Sequence, residues 1–331
     1  MEEKRIGRIA PAGCSVCVVW IVACAVAVTA CKSKRANDSK KANPNKTTAS
    51  KGLVRDAAVK HPLPNNTAGA GFSLPDVAPG KVDKGITVVD RGKGKPVAVS
   101  LAFKAGDKQT IEALMNARLG KHEGRSSLSY RTEVVAVDAT SQMATLKLTF
   151  DKLVISSKPD QARSAEMAKL AKKVNGQSVV AKLSATGNAT ITSTDPQLAA
   201  IFPKLNINPA RLFTHMYPRF PKGNLGIGAK WLTQLKTENN GKVETIDLTY
   251  ELATAVKDPR GLMVTLDMVG KLATKGSDGA KASGNLRGQL VLIPSRGFIV
   301  KATMRQDTTV KAGNQAVRMS MLVDVIEKLT P

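Results

Sequence analysis

SLSYRTEVVAVDATSQMATLKLTFDKL, residues 127–153, sets polar and apolar side chains in alternation through Tyr130 to Val137 and again from Met143 to Phe150. A period of two places one set of side chains on each face of an extended chain, and the β-branched content suits a pleated sheet. The stretch therefore reads as a β-hairpin with one apolar face. A second stretch, DLTYELATAVKDPRGLMVTLDMVGKL at residues 247–272, matches it in strand, turn and strand. Leu128-Ser129-Tyr130 recurs as Leu248-Thr249-Tyr250, and Met143-Ala144-Thr145-Leu146 as Met263-Val264-Thr265-Leu266, both 120 positions on. Ala185-Thr186-Gly187-Asn188 similarly resembles Ala282-Ser283-Gly284-Asn285. Self-similarity of this kind predicts two β-rich halves that diverged from one unit or converged on one pattern.

Outward from these hairpins, Val97–Phe103, Val179–Ile191, Leu286–Leu292 and Phe298–Met304 carry the same alternation. Ala105-Gly106-Asp107, Asp258-Pro259-Arg260-Gly261, Ser277-Asp278-Gly279 and Pro294-Ser295-Arg296-Gly297 supply turns between strands. One segment breaks the pattern. KPDQARSAEMAKLAKKVNG, residues 158–176, has Pro159 near its start, Lys172 and Lys173 in its last turn and Gly176 as a stop. Its apolar residues fall on one side, as expected of an amphipathic helix. The predicted fold is mainly β: two antiparallel halves, about 85–205 and 215–331, forming a curved sheet or open barrel with one amphipathic helix at about 159–175.

All four cysteines, at 14, 17, 24 and 31, lie near the N-terminus. Cys14 and Cys17 have the spacing of a metal or thiol-redox pair, but the run from Ala12 to Ala30 offers no charged or imidazole partner. Lys4, Arg5 and Arg8 precede an apolar core, the layout of an export signal over residues 1–30. That core ends in Val28-Thr29-Ala30-Cys31, which resembles the lipobox of bacterial lipoproteins. The resemblance implies cleavage before Cys31 and acylation of its thiol, with several acyl chains giving a stable anchor. A transmembrane signal anchor, or a cleaved soluble product, is the alternative.

Residues 31–80 are rich in Lys, Asn, Thr, Pro and Gly and poor in large apolar side chains, the composition of a disordered basic tether. As a coil it would reach on the order of 40 Å. The net charge is +24, and residues 32–60 carry nine Lys or Arg against Asp38 and Asp56. The body at 81–331 is therefore basic as well. Aromatic residues make up only 4% and no nucleic-acid motif appears, so anionic lipid or envelope polymer is the expected counter-charge, not nucleic acid.

Chemistry is scarce. Beyond Cys31 there is no thiol, and the histidines, His61, His122 and His215, show no metal-ligand spacing. Neither G-x-S-x-G nor S-x-x-K occurs. Gly80 to Gly85 lacks the lysine of a phosphate loop, and Gly223, Gly226 and Gly228 lead into a strand at Trp231 instead of a helix. Arg211, His215 and Arg219 recur every four residues, but Pro218 interrupts that face, so 209–220 reads as a solvated linker. No catalytic residue, metal or cofactor is expected.

VVDRGKGKPVAVSLAFKAGDKQT, FPKGNLGIGAKW and GNLRGQLVLIPSRGFIVKATM resemble an uncharacterised family of bacterial secreted lipoproteins, over about three quarters of the chain. A curved sheet with a covering helix is also similar, more distantly, to lipoprotein-carrier and lipid-binding half-barrels. The resemblance implies no catalytic residue, and the first expectation is a non-enzymatic envelope lipoprotein, anchored through Cys31, with an apolar or anionic envelope component as candidate ligand in the concave face of its sheet. The alternative is a structural or assembly scaffold with no ligand cavity. Lys32 after the cysteine is compatible with the outer membrane, facing the periplasm or the surface.

Overall fold

Alternation of buried and exposed side chains builds the long strands of the body. In a computed structural model the described residues are 82–83, 85–119, 122–158, 161–202, 213, 216–239, 242–275, 281–312 and 315–328. The export signal, the tether, Cys31, His61, Arg211, His215, Pro159 and the Ser277–Gly279 turn lie outside them.

Three short strands come first: β1 (Val82–Asp83), β2 (Ile86–Asp90) and β3 (Lys93–Val97). The first meander follows as β4 (Lys108–Leu119), β5 (His122–Val137), β6 (Ala144–Lys158), β7 (Ser178–Leu183) and β8 (Ala189–Thr194). Helix α1 (Gln161–Val174) is inserted after β6, and a short α2 (Pro196–Ile201) follows β8. After β9 (Leu225–Ile227), the second meander runs through β10 (Lys230–Asn239), β11 (Lys242–Asp258), β12 (Gly261–Lys275), β13 (Lys281–Ile293), β14 (Phe298–Ala312) and β15 (Gln315–Lys328).

Thirteen strands form one antiparallel sheet in the order β1-β2-β10-β11-β12-β13-β14-β15-β4-β5-β6-β7-β8, while β3 and β9 pair separately. The seam between the meanders is β15 against β4, with Leu322 opposite Asn116. The sheet is not closed into a barrel: β1 stands at one edge and β8 at the other. The mainly β, antiparallel fold with a helix near 159–175 thus stands, as an open sheet.

Helix α1 lies against β6 on the apolar face, burying Ala171 and Val174, and Ser164 Oγ accepts the Ser157 N–H at 2.8 Å. Gly176 ends the turn after it with φ 79°, a conformation that costs a side chain-bearing residue about 1–2 kcal/mol. A second helix, α2, was not expected. Pro196 at its start and a short apolar run, with Leu198 and Ile201 buried, suffice for one and a half turns.

Three sequence expectations need correction. Val97 ends β3 and residues 98–103 form no strand, although Val99 and Leu101 are buried as alternation requires. Its N–H groups bridge two turns instead of a ladder: Leu101 donates to Ala185 O and Ala102 to Pro294 O, each at 2.8 Å. Val179–Ile191 is a hairpin, turning at Gly187 with φ 81°. Its Ala185–Asn188 turn therefore has no counterpart in Ala282–Asn285, which lies within β13. The described part of the linker, residues 213 and 216–220, is not solvated: Phe213, Tyr217 and Phe220 are all buried. Apolar ring area outweighs the interruption at Pro218 that suggested exposure.

These segments seat the apolar core. Trp231 and Phe220 are fully buried, and Trp231 stacks on Tyr250 with centroids 5.5 Å apart. Trp231 Nε1 donates to Arg219 O at 2.7 Å. At the same end of the sheet, Arg296 forks onto Asp107 at 2.7 and 3.1 Å, Gln109 exchanges hydrogen bonds with the Ile299 backbone, and Arg260 pairs with Glu327. The Asp107 and Gln109 contacts tie the first meander to the second.

Candidate functional site

The apolar face of the sheet is filled by the chain itself. Val99, Leu101, Phe202, Phe213, Phe220 and Trp231 are all buried there, in one continuous core with the inward side chains of the sheet. A groove of about 680 Å³ lies instead on the opposite, polar face. β12, β13, β14, β15, β4 and β5 all contribute to it. Six neighbouring strands lining one groove means that the sheet curves around it.

Strand register explains the composition of the groove. Directly opposed residues in adjacent antiparallel strands point to the same face. Val269 opposes Arg287, Arg287 opposes Arg305, and Arg305 opposes Leu322. Leu322 opposes Asn116, which opposes Arg125. One transverse row thus carries three arginines, and all six of its residues line the groove. Lys301 and Arg118 flank the row, giving five basic side chains against Glu123 and Asp267.

Two arginines placed directly opposite one another repel, and such pairs destabilise a sheet. Arg305 has partial compensation from Asp307 at 3.1 Å, an exposed ion pair. Arg287 and the Arg125 guanidinium have no ion-pair or hydrogen-bond partner among the described residues. Planar guanidinium groups in this arrangement suit a bidentate oxyanion such as phosphate or carboxylate. Asp267 and Asp324, the carboxylates of the next row, are already engaged by Gln289 Nε2 at 2.9 Å and Thr303 Oγ1 at 3.1 Å.

The sequence reading did not find these residues. Arg287 and Arg305 lie on one hairpin and Arg125 on a distant strand, and register joins all three in one row. Of the residues considered earlier, His122 opens β5, half-exposed, and Arg219 sits beside the aromatic core. Desolvation pulls the Arg219 guanidinium below its usual value, while the nearby Tyr250 acts in the opposite sense. Cys31 lies outside the described residues. Among those residues no three His, Cys, Asp or Glu side chains gather as a metal site would require.

No protein-family profile matches the chain, and no curated protein matches it. Solved structures give distant likenesses. A Bacteroides fragilis protein described as exported, with a YmcC-like fold, shares 13% identity over 70% of this chain and all of its own, with a TM-score of 0.28. A Parabacteroides distasonis protein described as a lipoprotein shares 11% over 70% of this chain and all of its own, TM-score 0.27. Lipovitellin, solved to describe its lipid–protein interactions, shares 12% over 69% of this chain but only 25% of its own length, TM-score 0.29. At these scores no functional conclusion passes from them to this chain.

Proposed function

We propose that this chain is a non-enzymatic lipoprotein of the bacterial envelope, anchored through acylated Cys31, whose body binds an anionic envelope component in the groove of its polar face. The supporting observation is the Arg287–Arg305 cross-strand pair, two like charges held side by side in a groove where Arg287 has no acidic partner among the described residues. A sheet gains no stability from such a pair, whereas an oxyanion bridging both guanidiniums would gain charge-assisted bonds to each. The filled apolar face supports this over an apolar cargo inside the sheet. Inorganic pyrophosphate titrated into the purified full-length protein tests it. Binding should weaken with salt and fall at least tenfold in Arg287→Glu/Arg305→Glu. Equal binding by that variant would place the anion elsewhere. Separately, Cys31→Ser should abolish acyl labelling and release the protein from membranes; persistence of both would remove the anchor.

A further inference from the structure

The polar face carries a second feature that electrostatics does not explain. Leu114 is 53% exposed, Ile326 52% and Val154 45%, all on the side of the sheet that faces the groove. Register makes them neighbours. Leu114 opposes Asp324, so its diagonal neighbours on β15 are Leu322 and Ile326, within reach of large side chains at about 7–8 Å. On the other side Leu114 opposes Ser127, and Ser127 opposes Val154. An apolar strip therefore leaves the groove at Leu322 and crosses β15 and β4, with Val154 on β6 beyond Ser127 of β5. Asp324 lies within it, engaged by Thr303. Isolated exposed leucines are ordinary, but Leu322, Leu114 and Ile326 adjoin one another beside a cationic groove, and such a cluster marks a binding surface.

We infer that the ligand of the groove is an anionic amphiphile, its phosphate or carboxylate head held between Arg287 and Arg305 and one acyl chain laid over Leu322, Leu114 and Ile326 toward Val154. This rests on the groove being an anion site. Two other occupants fit less well. The chain's own segment at 32–60 is itself strongly basic, so the arginines repel it. Single-stranded nucleic acid requires aromatic stacking platforms, and no aromatic residue lines the groove. An anionic polymer would engage the arginines but leave the apolar strip without a role.

The test compares two phosphate monoesters that share a head and differ in tail: ethyl phosphate and octyl phosphate, the latter below its micelle concentration. Calorimetric titration of the purified full-length protein should show octyl phosphate binding at least tenfold more tightly. Leu114→Asn/Ile326→Asn, both exposed positions, should erase that advantage and leave ethyl phosphate binding unchanged. Arg287→Glu/Arg305→Glu should weaken both ligands at least tenfold. If both esters bind alike and both depend on the arginines, the amphiphile is wrong and the anion site stands. If the octyl advantage survives the Asn variant, the chain lies elsewhere and the amphiphile assignment is likewise overturned. If neither ester responds to the arginine substitutions, the anion site fails and the amphiphile with it. A dextran sulfate that binds through the same arginines, with no octyl preference, would assign the groove to a polymer.

Discussion

Replacing Trp231 separates the two ways in which the linker holds the core. The indole is fully buried, stacked on Tyr250 at 5.5 Å and tilted on Phe220 at 6.0 Å, and its Nε1 donates to Arg219 O at 2.7 Å. Truncating a buried Trp to Ala costs about 3–5 kcal/mol through lost burial and the cavity left behind. The abandoned Arg219 carbonyl adds about 1 kcal/mol, so Trp231→Ala should cost roughly 4–6 kcal/mol. Trp231→Phe keeps a ring in the stack but removes the donor and part of the volume, for about 1.5–3 kcal/mol. Urea denaturation followed by circular dichroism measures both. With a slope near 3 kcal/mol/M, the Ala variant should unfold about 1.3–2 M earlier than the parent. A shift below about 0.3 M, near 1 kcal/mol, would mean that Trp231 does not seat the 213–231 segment. Equal shifts for Ala and Phe would give the hydrogen bond, and not packing, the dominant share.

Gly187 has φ 81°, and a Cβ there would lie 2.1 Å from Pro218 O, so Gly187→Ala should destabilise by about 2–5 kcal/mol in the same assay. Gly106 has φ 87° with open space around it, and its Ala variant should lose only about 1–2 kcal/mol. At alkaline pH the burial of Tyr130 and Tyr217 raises both phenols well above their ordinary value of 10.0. Their protonated forms favour the folded state, so stability should decline as pH rises past about 10, with their phenolate absorbance appearing only on unfolding. Phenolate absorbance from all three tyrosines in a folded protein would contradict their burial. On the acid side, the Arg260 N–H and side chain hold the Asp258 carboxyl below its usual value. A depressed carboxylate stabilises above its unfolded value of 3.8 and loses that contribution as pH falls below it. Asp258→Asn should therefore flatten the fall in melting temperature below pH 4; an unchanged slope would leave this turn without a part in acid unfolding.

The hairpins at 127–153 and 247–272 were legible because alternation and β-branched content agree there, and the structure only lengthens their strands. β4 was not. Its KQTIEALMNARL alternates, with Ile111, Ala113, Met115 and Leu119 buried, but Ala, Leu, Met, Glu and Arg are helix formers and mask the period. β15 went unread in the same way, although Met319, Met321, Val323 and Val325 form its buried face. The core role of the linker had a signal that periodicity could not show. Phe202, Phe213, Tyr217, Phe220 and Trp231 gather five of the twelve aromatic residues into thirty positions, a density hard to reconcile with solvation. The groove had no local signal. Arg125, Arg287 and Arg305 each resemble any exposed strand arginine until register places them in one row, and the basic composition pointed only to an anionic partner in general.

The most direct measurement is a crystal structure of the full-length protein with octyl phosphate bound. The phosphorus should lie between Arg287 and Arg305, within hydrogen-bonding reach of both guanidiniums, with the alkyl chain over Leu322 and Leu114. Phosphate bound away from both arginines, or an alkyl chain inserted among the side chains of the apolar face, would contradict the assignment of the binding site to the polar face.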